Sequence, residues 1–327
     1  MPKKYAIIQN MLHPPQLNLW QGRNDGDAPD LWRWHQVVEC TPLAELTARK
    51  AIAILGFACD EGVRRNKGRL GASAAPSVLR SVCANFPAHS LTKGALVDVG
   101  DCVCEGTQLE EAQGELADAV AQLVQLGYRP MVFGGGHEVM YGHFRGLRKA
   151  FPDQKIGIIN FDAHFDIREP DPAVGASSGT GFWQLAQEES DFHYLALGIQ
   201  TNSNTQRLFA TAKRYGVKHL LADDFYPENI MFILHTIATF MARVDKVYLT
   251  ICMDVFAAPY APGVSALAYN GLVPPDRTFR RALQAIISSP KLVSADIAEL
   301  NPRLDIDNRT ARLAASLVFE IVNTGAK

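Results

Sequence analysis

From residue 51 onward, short and nearly unbroken apolar runs alternate with longer segments whose apolar residues recur every three or four positions. Eight runs stand out: AIAILGFA (51–58), ALVDVGD (95–101), PMVFGGG (130–136), KIGIINFD (155–162), HYLALGI (193–199), KHLLAD (218–223), KVYLTICMD (246–254) and KLVSADIAEL (291–300). Runs with so little polar alternation suit strands covered on both faces, as in a parallel sheet. Between them, segment 108–126 sets Leu109, Ala112, Leu116, Val120 and Leu123 on one helical side. The pattern predicts a helix opened by a Thr107–Glu110 capping box and closed at Gly127. The alternation as a whole predicts an α/β fold with helices on both faces of about eight parallel strands.

Residues 1–48 break the pattern. Pro14, Pro15 and Pro29 lie among polar positions, with Trp32 and Trp34 nearby, which predicts an irregular extension wrapped on the periphery. No repeat or Pro/Gly-rich linker divides the remainder, so residues 1–327 read as one domain.

Charge narrows the partner. Lys and Arg number 32 against 34 Asp and Glu, a formal charge of −2, and no like-charge block or basic helix face is present. That argues against nucleic acid and anionic membrane and for a small-molecule ligand. The N-terminal stretch lacks a long apolar segment after its two lysines, and no run of 18 apolar residues occurs, which predicts a soluble, cytoplasmic protein. Six scattered cysteines fit free thiols better than a disulfide framework. Cys102 and Cys104 lack both CxxC spacing and a second pair, and do not read as a zinc site.

In open parallel sheets the ligand lies beyond the carboxyl ends of the strands. Three run ends carry metal-ligand residue types. In NFDAHFDIR, Asp162, His164 and Asp166 fall at alternate positions and share a direction if the backbone is extended. In FGGGHEVMYG a glycine turn delivers His137 to a helix start, and in LTICMD Cys252 and Asp254 share a face. Any one of these has an ordinary structural explanation as a cap or turn residue. Three ligand types within five positions reverse that, because clustered buried carboxylates are costly without a cation. Carboxylates with a few imidazoles favour Mn²⁺ or a similar hard ion over structural zinc. The GGGH turn could also suggest a phosphate loop, but no GK[ST] follows.

The chain also resembles the arginase/agmatinase ureohydrolases, and among them the formimidoylglutamases. GFACDEGVRRNKGRLGA, GGGHE, NFDAHFDIR, SSGTGFWQL, MDVFAAPYAPGVSA and DIAELNP carry the resemblance, in the family's order, from about Gly56 to the C-terminus. It implies a three-layer α/β/α arginase-like fold with a mainly parallel eight-stranded sheet, two Mn²⁺ per chain, and a possible homo-oligomer. The implied metal ligands are His137, Asp162, His164, Asp166, Cys252 and Asp254. Glu299 is implied as the carboxylate that recognises an amidine. Cys252 departs from the pattern, since an aspartate bridging both metals is usual there. Ser178 occupies a region where arginases and agmatinases tend to carry a histidine.

Two ions about 3.5–4 Å apart could activate a water at neutral pH for attack on an amidine carbon. Asp166 is suited to hydrogen-bond that water and relay its proton. Glu299 is suited to pair with the cationic amidine. Arg64, Arg65, Lys67 and Arg69 fall at one end of the sheet with Arg168, which favours an anionic substrate over cationic agmatine. Arg65, Arg69 and Arg168 are therefore candidate carboxylate binders, with Ser178 beside them. The expected reaction is hydrolysis of N-formimidoyl-L-glutamate to L-glutamate and formamide, a step of histidine degradation. The alternatives are another ureohydrolase (a guanidinobutyrase, agmatinase or arginase) and a metal-deficient, non-catalytic relative. Cys59 ends the first run, and a Cys59–Cys252 disulfide on oxidation is a further expectation.

Overall fold

Alternate residues of the apolar runs face opposite sides of one sheet and meet two different sets of helices. The computed structural model describes residues 11–89, 91–268 and 273–325; the first ten residues of the predicted N-terminal extension lie outside them. The strands are β1 (Leu12–His13), β2 (Glu39–Cys40), β3 (Ile52–Ala58), β4 (Leu96–Val103), β5 (Arg129–Phe133), β6 (Ile156–Phe161), β7 (His193–Ile199), β8 (Lys218–Leu221), β9 (Lys246–Cys252) and β10 (Leu292–Ala298). Their order is β1-β4-β3-β5-β10-β9-β6-β7-β8, with β2 also beside β4. Every pairing is parallel except that of β1 with β4. The eight expected runs are β3 to β10, and the N-terminal extension adds the two short strands.

On one face Ile52, Ile54, Phe133, Phe161, Leu249 and Ile251 pack under helices Ala75–Cys83, Ile230–Met241, Arg277–Ile287 and Arg309–Gly325. On the other, Ala53, Leu55, Phe57, Val132, Ile158 and Tyr248 pack under Leu109–Gln125, Val139–Ala150, Gly181–Glu188 and Gln206–Arg214. The result is a three-layer α/β/α arrangement with an apolar core on each side of the sheet.

The helix predicted over 108–126 spans Leu109–Gln125, but its expected capping box does not form. Gln108 holds the cap position without a side-chain bond, and the Glu110 carboxylate instead takes Arg65 Nη1 at 2.5 Å. Its C-terminal end follows the expectation: Gly127 sits at φ 88°, and Tyr128 N–H reaches back to Leu123 O at 2.9 Å. In the extension, Trp20 Nε1 donates to Asp98 Oδ2 at 2.7 Å, the carboxylate that also pairs with buried Arg80. Trp34 is fully buried and stacks on Phe319.

Candidate metal centre

Four adjacent strands at the middle of the sheet, in the order β5, β10, β9 and β6, deliver the polar residues at their carboxyl ends. After β5 the chain turns through Gly134, Gly135 and Gly136. A Cβ on Gly135 would stand 1.8 Å from Cys59 O, so only glycine lets this turn pass the end of β3. Gly136 N–H then donates to Cys59 O at 2.9 Å, and His137 N–H donates to Glu299 Oε1 at 2.9 Å. After β6, Asp162 Oδ1 accepts the His164 N–H at 2.7 Å, and Asn204 holds the same loop through Phe165 N–H and Ala163 O. Asp166 and Glu299 sit at φ 44° and 65°, in the left-handed region that non-glycine residues rarely occupy. Such residues concentrate where the surroundings over-determine the backbone, as at functional sites.

These loops bring the side chains within contact. His137 Nδ1 lies 2.9 Å from Asp162 Oδ2 and 2.9 Å from Asp166 Oδ2. His164 Nδ1 lies 3.4 Å from Asp162 Oδ1 and 3.1 Å from Asp254 Oδ2. Two groups could each hold an ion, with ligand atoms within 4.8 Å of one another: His137, Asp162 and Cys252, and Asp162, His164 and Asp254. Asp162 belongs to both and offers one oxygen to each histidine, which is the geometry of a bridging carboxylate. Asp166 stands outside both groups but within bonding distance of His137.

Electrostatics points the same way. Burial pushes the Asp254 and Asp166 carboxyls up, and the Asp162 charge adds to it. Burial and the neighbouring Asp162 and Asp254 raise the Cys252 thiol well above its ordinary value. Burial, Glu138 and Asp254 do the same to Glu299. Burial opposes the Asp162 charge too, but His137 and His164 hold that carboxyl well below the usual range. The two histidines are raised well above theirs, their carboxylate partners overriding burial. Protons on these rings therefore stand where cations would. Asp254 Oδ1 and Glu299 Oε2 are buried with no hydrogen-bond partner. Oxygen and imidazole donors with one thiol fit a hard divalent ion, provided the thiol gives up its proton.

A cavity of about 260 Å³ opens onto this cluster, with His164, Asp166, Asp254 and Glu299 at one side and Asn66, Arg168, Ser178 and Ser265 among its walls. Arg65 and Arg69 do not line it. Arg65 is held by Glu61, Glu110 and two carbonyls, and Arg69 by the carbonyls of Val264 and Ser265, so both brace loops around the cavity. The predicted Cys59–Cys252 disulfide is corrected by the sheet order. Three strand spacings, about 14 Å, separate β3 from β9, beyond the roughly 7 Å limit for a bridge. The Cys59 thiol instead meets Cys104 and Glu138 Oε1, the latter at 3.5 Å. Sequence reasoning also passed over Asn66, Glu138, Asn160, Asn204, Thr250 and Asp296. For Asn160, Thr250 and Asp296 a signal was present: a polar residue inside a buried run must have a partner.

Residues 50–323 match the family model described as "Arginase family". The chain belongs to the arginase family. Within it, the formimidoylglutamase of Geobacillus thermodenitrificans is 43% identical over 314 residues, covering 95% of this chain and 96% of that protein. The crystal structure of formimidoylglutamase from Bacillus subtilis shares the fold, with a TM-score of 0.78 and 23% identity over 93% of this chain and 96% of that one. The Trypanosoma cruzi formiminoglutamase, solved with Mn²⁺, superposes with a TM-score of 0.71 and 25% identity, covering 88% of this chain and 99% of that chain. Among the described residues of this arginase-family chain, no helix is long and apolar enough to cross a membrane.

Proposed function

We propose that the chain hydrolyses N-formimidoyl-L-glutamate to L-glutamate and formamide, using two Mn²⁺ ions. The observation that carries this is the pair of candidate ion-holding groups that share Asp162, one of which sets His164 and Asp254 on a cavity whose wall also holds Arg168. Near-full-length similarity to a formimidoylglutamase, and Mn²⁺ in the Trypanosoma cruzi relative's structure, support it. His137, Asp162 and Cys252, with Asp166 beside His137, would hold one ion; Asp162, His164 and Asp254 would hold the other. When bound, the pair of ions supplies Lewis acidity and a nucleophile drawn from water at neutral pH.

The chain's own residues do the rest. Asp166, strained toward the cavity, accepts a proton from the attacking water. Glu299 Oε2 has no protein partner and accepts the N–H of the cationic formimidoyl group by a charge-assisted hydrogen bond, which also orients the carbon under attack. Arg168 donates Nη1 to Asn66 Oδ1 at 2.5 Å, and Asn66 Nδ2 donates to Ser178 Oγ at 3.2 Å. This arginine, amide and hydroxyl set receives the substrate carboxylates; Arg65 and Arg69 support it from behind. The chain works as one domain in this reading, and its six free thiols agree with a reducing cytoplasm.

The test is turnover by purified protein supplied with Mn²⁺ and a thiol reductant. Stoichiometric formamide and glutamate from formimidoylglutamate are expected. Urea from a guanidine such as arginine or guanidinobutyrate, without formamide from formimidoylglutamate, would overturn the assignment.

A further inference from the structure

Behind His137, on the side away from the cavity, lies a fully buried chain of polar side chains that the proposed chemistry does not use. His137 Nε2 is 3.0 Å from Thr250 Oγ1, and Thr250 Oγ1 donates to Asp296 Oδ1 at 2.5 Å. The two residues are direct neighbours across β9 and β10. Asp296 Oδ2 accepts the Tyr248 hydroxyl and lies 2.7 Å from His143 Nδ1. His143 Nε2 is 2.6 Å from Ser294 Oγ, which donates to Pro130 O at 2.8 Å. All six side chains are fully buried.

Counting hydrogens fixes the direction of the contact between Thr250 and His137. A hydroxyl has one hydrogen to give. Thr250 gives its own to Asp296, so toward His137 it can only accept, and Nε2 of that ring must carry the hydrogen. A neutral imidazole has one N–H. In the neutral ring that a bound ion requires, the lone pair is then on Nδ1, the nitrogen that lies 2.9 Å from both Asp162 and Asp166. Partners of this kind behind a ligating histidine set its tautomer and ring orientation and raise its basicity.

We propose that Thr250 and Asp296 are positioning residues that fix His137 with its hydrogen on Nε2 and so reserve Nδ1 for the ion it shares with Asp162 and Cys252. The inference rests on the metal reading above. It adds that the core between β9 and β10 sets the affinity of one ion site and not of the other, since among the described residues His164 pairs with Asp162 and Asp254 and shares no hydrogen bond with this chain of residues. Tyr248 and His143 hold the Asp296 carboxylate in place to receive Thr250.

The test is Mn²⁺ titration of wild type, Thr250→Val and Thr250→Ser, reading free Mn²⁺ by electron paramagnetic resonance, with thermal melting of the metal-free proteins alongside. Thr250→Val keeps the shape and removes the hydroxyl. It should weaken one of two sites about 10- to 100-fold and leave the other unchanged, with a somewhat lower metal-free melting temperature because Asp296 Oδ1 loses its buried donor. Thr250→Ser should restore the tight site. Two ions held by Thr250→Val with wild-type affinities would overturn the inference while leaving the metal centre standing. A wild type that binds no Mn²⁺ would overturn the metal reading and the inference with it. Independently of whether the valine variant folds, ring ¹⁵N spectra of the Zn²⁺-loaded wild type should show His137 protonated at Nε2; a bare Nε2 would sink the assignment.

Discussion

Cys252 gives the proposed centre one sulfur among oxygens and imidazoles. A thiolate is softer than a carboxylate and binds through a single atom, so it serves Mn²⁺ less well and bridges poorly. Cys252→Asp should therefore tighten Mn²⁺ binding and remove sensitivity to thiol-modifying reagents, whereas Cys252→Ala should lower the bound metal from two ions to one. Metal content by plasma mass spectrometry after gel filtration checks both, and an alanine variant that still holds two ions would remove Cys252 from the ligand set. Glu138 allows a prediction with a defined pH window. Burial pushes its carboxyl up to about 7, against 4.5 ordinarily, although Gly62 N–H and the Cys59 thiol both favour the charged form. Its folded pKa is the higher one, so the native state binds the extra proton. The stability this contributes is complete below about 4.5 and is lost as pH rises through about 7. Glu138→Gln mimics the neutral acid and should flatten that decline in metal-free protein, gaining at most roughly 3 kcal/mol at pH 8 and little at pH 4. Urea unfolding at the two pH values measures it. At this scale His137, Asp162, His164, Asp166, Asp254 and Glu299 could be picked out because each falls where an apolar run ends. Glu138 could not, because nothing in GGGHE tells that the residue after His137 is buried as well.

The strands were legible as elements because burial on both faces leaves an almost unbroken apolar run, and all eight lie within a few residues of the runs that announced them. Their neighbours in space were not, since the chain orders them by sequence and the sheet reorders them. That is why a Cys59–Cys252 bridge looked feasible along the chain and fails across β3, β5, β10 and β9. The capping box failed for a related reason. Glu110 has the right spacing to cap its own helix, but the half-buried guanidinium of Arg65, from the distant short helix Glu61–Arg65, competes for the same carboxylate, and a charge-assisted contact outweighs a local cap. Arg65 and Arg69 went the same way: the count of positive charges near a strand end is readable, but whether each faces a ligand or a carbonyl depends on the loops opposite. The turn between β5 and its helix carries a sharper test. Gly135 has no room for a Cβ against the Cys59 backbone, and its carbonyl accepts the Glu299 N–H at 2.8 Å. Gly135→Ala must move the end of β3 or the turn itself, at a cost of about 1–3 kcal/mol. Because the same turn sets His137 and Glu299, loss of Mn²⁺ affinity should accompany the lowered urea midpoint. A variant destabilised to this extent but with wild-type metal affinity would show that the turn is not what positions the site.

For the molecule as a whole, four parallel strands converge on one cluster of acids at the middle of the sheet, where burial makes their charges expensive. In metal-free protein the cost is met by protons: burial and mutual repulsion raise the Asp166 and Asp254 carboxyls, and the carboxylates hold protons on His137 and His164. An ion can enter only as those protons leave, so binding releases protons and the apparent affinity rises with pH. The linkage reaches global stability, since an ion that binds the folded chain alone stabilises it by about 2.7 kcal/mol at one hundred times its dissociation constant. For a domain of this size that corresponds to roughly 5 °C in melting temperature. A fixed concentration of Mn²⁺ should therefore raise the melting temperature by more at pH 8 than at pH 6, and a chelator should abolish the difference. Calorimetry in two buffers of unlike ionisation enthalpy reads the proton release directly, as a binding heat that changes with the buffer. A Mn²⁺ gain that is equal at both pH values, with a buffer-independent heat, would mean that the histidines are already neutral before the ion arrives. The raised proton affinity of this cluster would then not be what the metal replaces.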